Sequence, residues 1–386
     1  MDFNTLKQQM LTWRHELHQC PEEAMKEFET SEYVAKELEK MGFTAERGIG
    51  GTGVVASLKV GDGAGVVGLR ADMDALEFQE TADLPYRSRH DGWMHACGHD
   101  GHMSMLLGAA MLLKEEKGFN GTVRFVFQPG EEPGLGARAM VEDGLLERFP
   151  MDEIYGMHND PQFPLGTLRT RAGGAKASED DFEIRIHGKG SHASSPHMSK
   201  DPIVIAAEII VGLQTIVSRT ANPLDAVVVS CTDITTDGIR NSIPSNVTIS
   251  GDVRCFKPEN QDMVERQMHR ISAAICSIYD AECEVLYSRE FIPTVNDPAC
   301  VDTAVAAAAE IFGKDHVNGN CDPVTSSEDF AVYETKIPGC YAFLGCKEEG
   351  KPETGTALHN PTYDFNDDAL LYGARYYAQI VKNRLK

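Results

Sequence analysis

The sequence predicts an α/β protein in two parts: a larger domain with a central mixed sheet between helices, and an inserted α+β domain of ferredoxin-like type. Three observations predict it. The chain has 386 residues, more than one ordinary core organises. Apolar runs between residues 54 and 160 alternate with helix-length stretches, and several end on acids or histidine, as strands of an open sheet do where they build a site. From about residue 179 to 290 the order reads β-α-β-β-α-β, that of a ferredoxin-like unit. The division that follows is 1–177 with 292–386 for the larger domain and 178–291 for the insertion.

In order, Asn4 is placed to cap a helix over about Thr5 to Gln19, with Leu6, Met10, Trp13 and Leu17 on one face. Pro21 breaks it. A second helix covers Glu29 to Met41, and Gly42 stops it. Gly48 to Gly53 matches G-x-G-x-x-G, but a strand (Val54 to Val60) follows where a dinucleotide site needs a helix, so a turn is the reading. Val66 to Arg70 is a buried strand ending on Asp72 and Asp74. An apolar helix runs from Met103 to Lys117. Strand Thr122 to Phe127 leads into Glu131 and Glu132, and a strand from Ile154 ends at His158. In the insertion, strands are expected at Asp181–His187, Ala226–Cys231, Val247–Cys255 and Glu282–Glu290, with helices at Asp201–Arg219 and Asn260–Tyr279. A helix over Pro298 to Phe312 returns the chain to the larger domain. Ser326 to Phe330 reads as the capped, acidic start of a short helix. Strand Cys340 to Gly345, a loop with His359 and a helix from Asp368 to Leu385 complete it.

The net charge of −23 argues against a nucleic-acid partner, which needs basic surface. The first ten residues lack an apolar signal core, and no apolar run approaches a membrane span, so no membrane is expected. The ten cysteines follow no regular spacing and read as reduced thiols, which points to the cytoplasm.

His95-Ala96-Cys97-Gly98-His99-Asp100-Gly101-His102 packs three histidines, a cysteine and an aspartate into eight residues. Thiolate and imidazole suit zinc; imidazole with carboxylate admits manganese, cobalt or nickel. If this stretch and the strand ends converge, the ligand-type groups are Cys97, His99, Glu132, His158 and His359. Five exceed what one catalytic zinc uses and suit two metals sharing a bridge. Glu131, beside Glu132, fits the role of proton shuttle, and the chemistry is metal-assisted amide hydrolysis.

Met94 to His102, Gln128-Pro129-Gly130-Glu131-Glu132, Gly188-Lys189-Gly190-Ser191-His192-Ala193 and Ser327-Glu328-Asp329-Phe330 together resemble the amidohydrolase branch of the dinuclear aminoacylase/carboxypeptidase metallopeptidase superfamily. That branch includes hippurate hydrolases and indole-acetyl-amino acid hydrolases. The resemblance implies metal ligands at Cys97, His99, Glu132, His158 and His359, and Glu131 as general base. It implies Asp74 supporting the metal site and His192 reaching an active site across a dimer to stabilise an oxyanion. Asn241 and Arg254 resemble positions that contact substrate. The larger domain would hold the dinuclear centre, and the insertion would serve as lid and dimerisation domain. Glu77 stands where relatives often carry proline.

The expected activity is hydrolysis of N-acyl-L-amino acids, hippurate-like, to a carboxylic acid and a free amino acid. The expected cofactors are two divalent ions, and the expected state is a homodimer or higher homo-oligomer. Alternatives are an N-acetyl-amino acid deacetylase or dipeptidase, and a non-catalytic metal- or peptide-binding protein. Retention of Glu131 argues against the last, since binding alone needs no base beside the ligand.

Overall fold

The structure is a computed structural model describing residues 2–350 and 356–386. Leu6, Met10, Trp13 and Leu17 recur at helical spacing, and all four are buried on α1 (Phe3–His18). Asp2, not Asn4, caps it, its carboxylate accepting from the N–H groups of Asn4 and Thr5. After α2 (Phe28–Lys40), β1 (Ala45–Ile49) and β2 (Gly53–Val60) form an antiparallel hairpin around the glycine-rich stretch. No helix follows it, in line with a turn.

β3 (Val66–Asp72) leads to α3 (His99–Glu116). This helix starts four residues before the expected Met103. The apolar pattern begins at Met103, so the polar first turn is invisible to periodicity. His99 and His102 therefore ride on a rigid helical turn, on one face at i, i+3 spacing. The helix is buried nearly all round, with Leu106, Leu107 and Leu113 at 0% exposure. Each such leucine contributes about 2 kcal/mol of burial free energy. β4 (Gly121–Gln128), α4 (Gly136–Glu142) and β5 (Glu153–Pro164) follow.

The inserted elements are β6 (Glu179–His187), α5 (Pro202–Thr215), β7 (Val227–Thr236), β8 (Asn246–Cys255), α6 (Pro258–Ile278) and β9 (Glu282–Phe291). They build a four-stranded antiparallel sheet in the order β7-β8-β6-β9. Ile184, Ile186, Ile205, Ile209 and Leu213 fill its core. A π turn, Ile216–Thr220, extends α5. Contrary to the expectation of no span-length apolar run, Pro202–Thr220 is long and apolar enough by length and composition to cross a membrane, with mean hydropathy 1.6. Its buried face is the core just named; Val211 on the other is 70% exposed.

The chain then adds α7 (Pro298–Phe312), α8 (Ala331–Glu334), β10 (Gly339–Lys347) and α9 (Leu370–Arg384). The large sheet runs β1-β2-β4-β3-β5-β10 and ends on the short strands Leu168–Arg169 and Val317–Asn318. Its four central strands, β4, β3, β5 and β10, are parallel. Their carboxyl ends therefore lie along one edge. Two compact units result: residues 1–175, 294–323 and 329–386, and residues 176–293 with 324–328. The segment 324–328, expected in the first, joins the second because the Val324 and Ser326 carbonyls accept from Ala177 N–H and Ser327 Oγ donates to Glu179.

The short helix expected to open at Ser326–Phe330 is present but starts later and has no side-chain cap. The helix starts at Ala331, and Glu328 and Asp329 are buried. Asp329 bonds Arg70 at 3.0 Å, Gln128 at 2.8 Å and the Ala137 N–H at 2.8 Å. It is a buried counter-ion for Arg70 rather than a surface cap; sequence spacing cannot show a partner 259 residues away.

Candidate metal centre

The apolar run of β3 ends on two carboxylates at 0% exposure, Asp72 and Asp74. Asp72 bonds Arg70 and His102 Nδ1, both at 2.6 Å. Burial opposes its charge, but His99, His102 and Arg70 outweigh burial and hold its pKa well below the usual carboxylate range. Asp74 takes the Glu132 N–H at 3.0 Å, and its main-chain oxygen lies 2.9 Å from His99 Nδ1. His99 Nδ1–H thus donates to Asp74, which turns Nε2 inward as the ring atom left to meet a cation.

His99 Nε2 and Glu132 Oε1 are 3.8 Å apart, and both are buried with no hydrogen-bond partner among the described residues. His359 Nε2 lies 3.5 Å from the same Glu132 oxygen. Cys97 Sγ lies 3.3 Å from His158 Nε2, and His158 Nδ1 is oriented by the Asn159 carbonyl at 2.8 Å. Ligand atoms of Cys97, His99 and His158, of Cys97, Glu132 and His359, and of His99, Glu131 and Glu132 each lie within 4.8 Å of one another. The five predicted ligand-type residues and Glu131 thus form one cluster, with Asp74 behind it.

Buried polar atoms are almost always paired, so two orphans facing each other among thiol, imidazole and carboxylate groups fit a divalent cation. The thiol's titration agrees. Burial and the Glu132 charge hold the Cys97 pKa well above the usual thiol value, so a cation is needed to draw off its proton. Burial opposes a proton on His99, yet Asp72, Asp74 and Cys97 outweigh it and push its pKa well up. Glu132 is likewise desolvated, but His359 and His99 lower its pKa.

Two glycines shape the cluster. Gly98, at φ +91°, precedes α3, and a Cβ there would stand 2.6 Å from Asn159 Oδ1. Gly130, at φ +54°, lets the backbone pass Met25, whose Sδ would lie 2.4 Å from a Cβ. His359 holds φ +56° without being glycine, a conformation costing about 1–3 kcal/mol. Its N–H bonds the Ala96 carbonyl at 2.9 Å, which ties its loop to the segment before Cys97.

His192, Asn241 and Arg254 belong to the inserted unit. Ser191–His192 pairs with Ser242–Ile243, and Ala193 N–H bonds the Asn241 carbonyl at 3.0 Å, so His192 and Asn241 are neighbours. The Ser194 N–H donates to His192 Nδ1 at 3.1 Å, which leaves the proton of a neutral ring on Nε2. Arg254 pairs with Glu179 at 2.7 Å and Asp252 at 2.9 Å. Its guanidinium is engaged by its own unit.

Sequence reasoning missed Glu27. This buried carboxylate accepts from Gly130 N–H at 2.8 Å, Met25 N–H at 2.8 Å and Thr52 Oγ1 at 2.5 Å, and so fixes the turn that carries Glu131 and Glu132. It also missed the bond from His102 Nε2 to Asn159 Oδ1 at 2.6 Å, which links α3 to β5. The only sequence signal for Glu27 was an acid where α2 needs a cap.

The profile of peptidase family M20/M25/M40 matches residues 68–383. The hippurate hydrolase of Campylobacter jejuni is 39% identical over 97% of this chain and 96% of its own length. The N-acetylcysteine deacetylase of Bacillus subtilis is 38% identical over 96% and 95%. A crystal structure of the Bacillus subtilis YXEP protein, a dinuclear metal-binding peptidase of the M20 family, superposes with TM-score 0.86 at 33% identity, covering 99% of each chain.

Proposed function

The chain belongs to peptidase family M20/M25/M40 and is an amide hydrolase, and from that premise we propose that it cleaves hippurate-like N-acyl-L-amino acids to a carboxylic acid and a free amino acid. The observation that carries this reading is the cluster, buried except for His359 at its exposed rim, with two orphaned donor atoms and Glu131 beside them. Cys97, His99, Glu132, His158 and His359 would hold two divalent ions, zinc or manganese, with cobalt or nickel also accommodated. Bound there, the ions supply Lewis acidity, which lowers the pKa of water and polarises a carbonyl.

The protein's own groups do the rest. Glu131, adjacent in sequence to a ligand, takes the proton of the attacking water and delivers it to the leaving nitrogen. Asp74 holds His99 in the tautomer that presents Nε2 and fixes the Glu132 backbone. His192 Nε2–H, supplied from a second copy of the chain, would donate to the developing oxyanion. The exposed apolar face of α5, with Ile203, Val204 and Val211, supports residues 178–291 as the dimerisation and lid domain. Asn241 beside His192 would contact substrate, and Arg254 would do so by exchanging its present carboxylate partners for the substrate's. The ten free thiols support a cytoplasmic location.

The test is release of free amino acid from a panel of benzoyl-, indole-acetyl- and acetyl-amino acids and dipeptides, with zinc- or manganese-loaded protein, beside Glu131→Gln. The parent cleaves the aromatic acyl members best. The variant loses about a thousandfold in rate with metal content unchanged. Preference for acetyl members would favour the deacetylase reading, which the 38% identity to an N-acetylcysteine deacetylase supports. An active Glu131→Gln would refute the base assignment. An inert parent with two metals bound would favour a binding protein.

A further inference from the structure

A second cluster of cysteine, histidine and glutamate lies outside the centre described above. Cys20 follows α1, Glu29 sits in the first turn of α2, and His90 lies in the stretch leading to Met94. Cys20 Sγ is 3.1 Å from Glu29 Oε2 and 3.9 Å from His90 Nε2. The three ligand atoms lie within 4.8 Å of one another. Tetrahedral zinc, with bonds of about 2.0–2.3 Å, places its ligand atoms roughly 3.3–3.7 Å apart. The present spacing brackets that range.

His90 is set for the task from behind. Its Nδ1 lies 2.8 Å from the Pro21 carbonyl, an acceptor only, so Nδ1 carries the proton and Nε2 turns its lone pair toward the sulfur. Glu22 adds negative charge nearby and Arg89 positive charge. Glu22 is not a ligand, since its two oxygens accept from the N–H groups of Glu29 and Thr30 at 3.1 and 2.8 Å. Cys20 and His90 are half-buried and Glu29 is exposed, so solvent can reach a fourth position.

We propose that Cys20, Glu29 and His90 form an additional site for one zinc-like divalent ion, with water as fourth ligand. The site joins the link between α1 and α2 and the first turn of α2 to a loop 70 residues further on. One of them is also tied to the principal centre: Ala75 N–H bonds the Glu22 carbonyl at 3.0 Å, and Ala75 follows Asp74. Arg89 N–H bonds the Gln19 carbonyl at 3.0 Å. An ion here clamps the backbone behind Asp74. Without it, burial and the Glu29 and Glu22 charges push the Cys20 pKa up to about 12, consistent with a thiol donating to Glu29. Binding therefore displaces one proton from sulfur.

The test is cobalt(II) loading of the full chain, following the sulfur-to-cobalt charge-transfer absorption and counting bound metal by elemental analysis. The parent, Cys20→Ser, His90→Ala and Cys97→Ser are compared. Cys20→Ser and His90→Ala each bind one fewer ion per chain than the parent, and Cys20→Ser loses its share of the sulfur band. Cys97→Ser keeps a band that vanishes when Cys20→Ser is added. Should Cys97→Ser fail to fold, the parent, Cys20→Ser and His90→Ala still decide the matter. A Cys20→Ser protein with the parent's spectrum and metal count overturns the proposal. A band that depends on Cys20 but not on Cys97 supports this site while refuting the assignment of Cys97.

Discussion

Each unit buries carboxylate in a polar cluster, and the two clusters differ in whether their hydrogen-bonding capacity is spent. In the inserted unit, Asp180 is 0% exposed, one oxygen bonded by Gln261 and the other by the Tyr287 hydroxyl at 2.5 Å. Both oxygens have donors, and the group ties β6 to α6 and β9. In the first unit, Asp74, His99 and Glu132 are as tightly placed, yet Asp74 Oδ1, His99 Nε2 and Glu132 Oε1 lack hydrogen-bond partners among the described residues. Leaving a buried polar atom unpaired costs about 1–3 kcal/mol. The proposed metal centre accounts for two of them, His99 Nε2 and Glu132 Oε1, which face each other at 3.8 Å, while Asp74 Oδ1 lies 3.2 Å from His99 Nδ1. Satisfaction, rather than burial or acidity, separates the paired cluster from the one proposed to hold metal.

Chelation tests this contrast hardest. Dialysis against a strong chelator should abolish hydrolysis and speed hydrogen exchange at residues 99–102, while amides of β6 and β8 keep their protection. Loss of protection in β6 and β8 would mean that both clusters depend on metal. A smaller effect is expected of Asp74→Asn, which removes the charge behind His99. Metal affinity, measured by chelator competition, should fall about 10–100-fold, with the fold intact by circular dichroism. An unchanged affinity would reduce Asp74 to a hydrogen-bonding strut.

The smallest effect concerns Asp180. Burial raises its pKa from 3.8 to about 6, against the lowering effect of Tyr287 and Gln261. The folded state then holds the proton more tightly than the unfolded chain. This contribution to stability is present below about pH 4 and is lost as pH rises through about 6. Thermal midpoints should fall across that window more steeply in the parent than in Asp180→Asn. Parallel profiles would show that the paired carboxyl is not strained by burial.

Local patterns made the strands, the long helices and the ferredoxin-like insertion legible, because apolar periodicity reports burial directly. The ligand types were legible too, since Asp72 ends β3 and Glu132 follows the end of β4, although the strand expected to stop at His158 runs on to Pro164. What stayed hidden was pairing across distance. Glu27 reaches Gly130 over 103 residues, and Asp329 reaches Arg70 over 259. Read locally, Asp329 looked like a first-turn acid of a helix, because nothing beside it reveals a buried arginine. The same blindness put the start of α3 at Met103, since a first turn made of His99, Asp100, Gly101 and His102 carries no apolar stripe.

The order of the strands bears on how the chain emerges from the ribosome. β10 pairs with β5, made about 180 residues earlier, and the whole insertion is synthesised between them. The inserted unit has all but residues 324–328 in hand by residue 293 and can fold while the first sheet still has an open edge. His359 is translated later still. The nascent chain therefore carries Cys97, His99, Glu132 and His158 through about half of its synthesis without their fifth companion, and a complete cluster exists only after the sheet has closed.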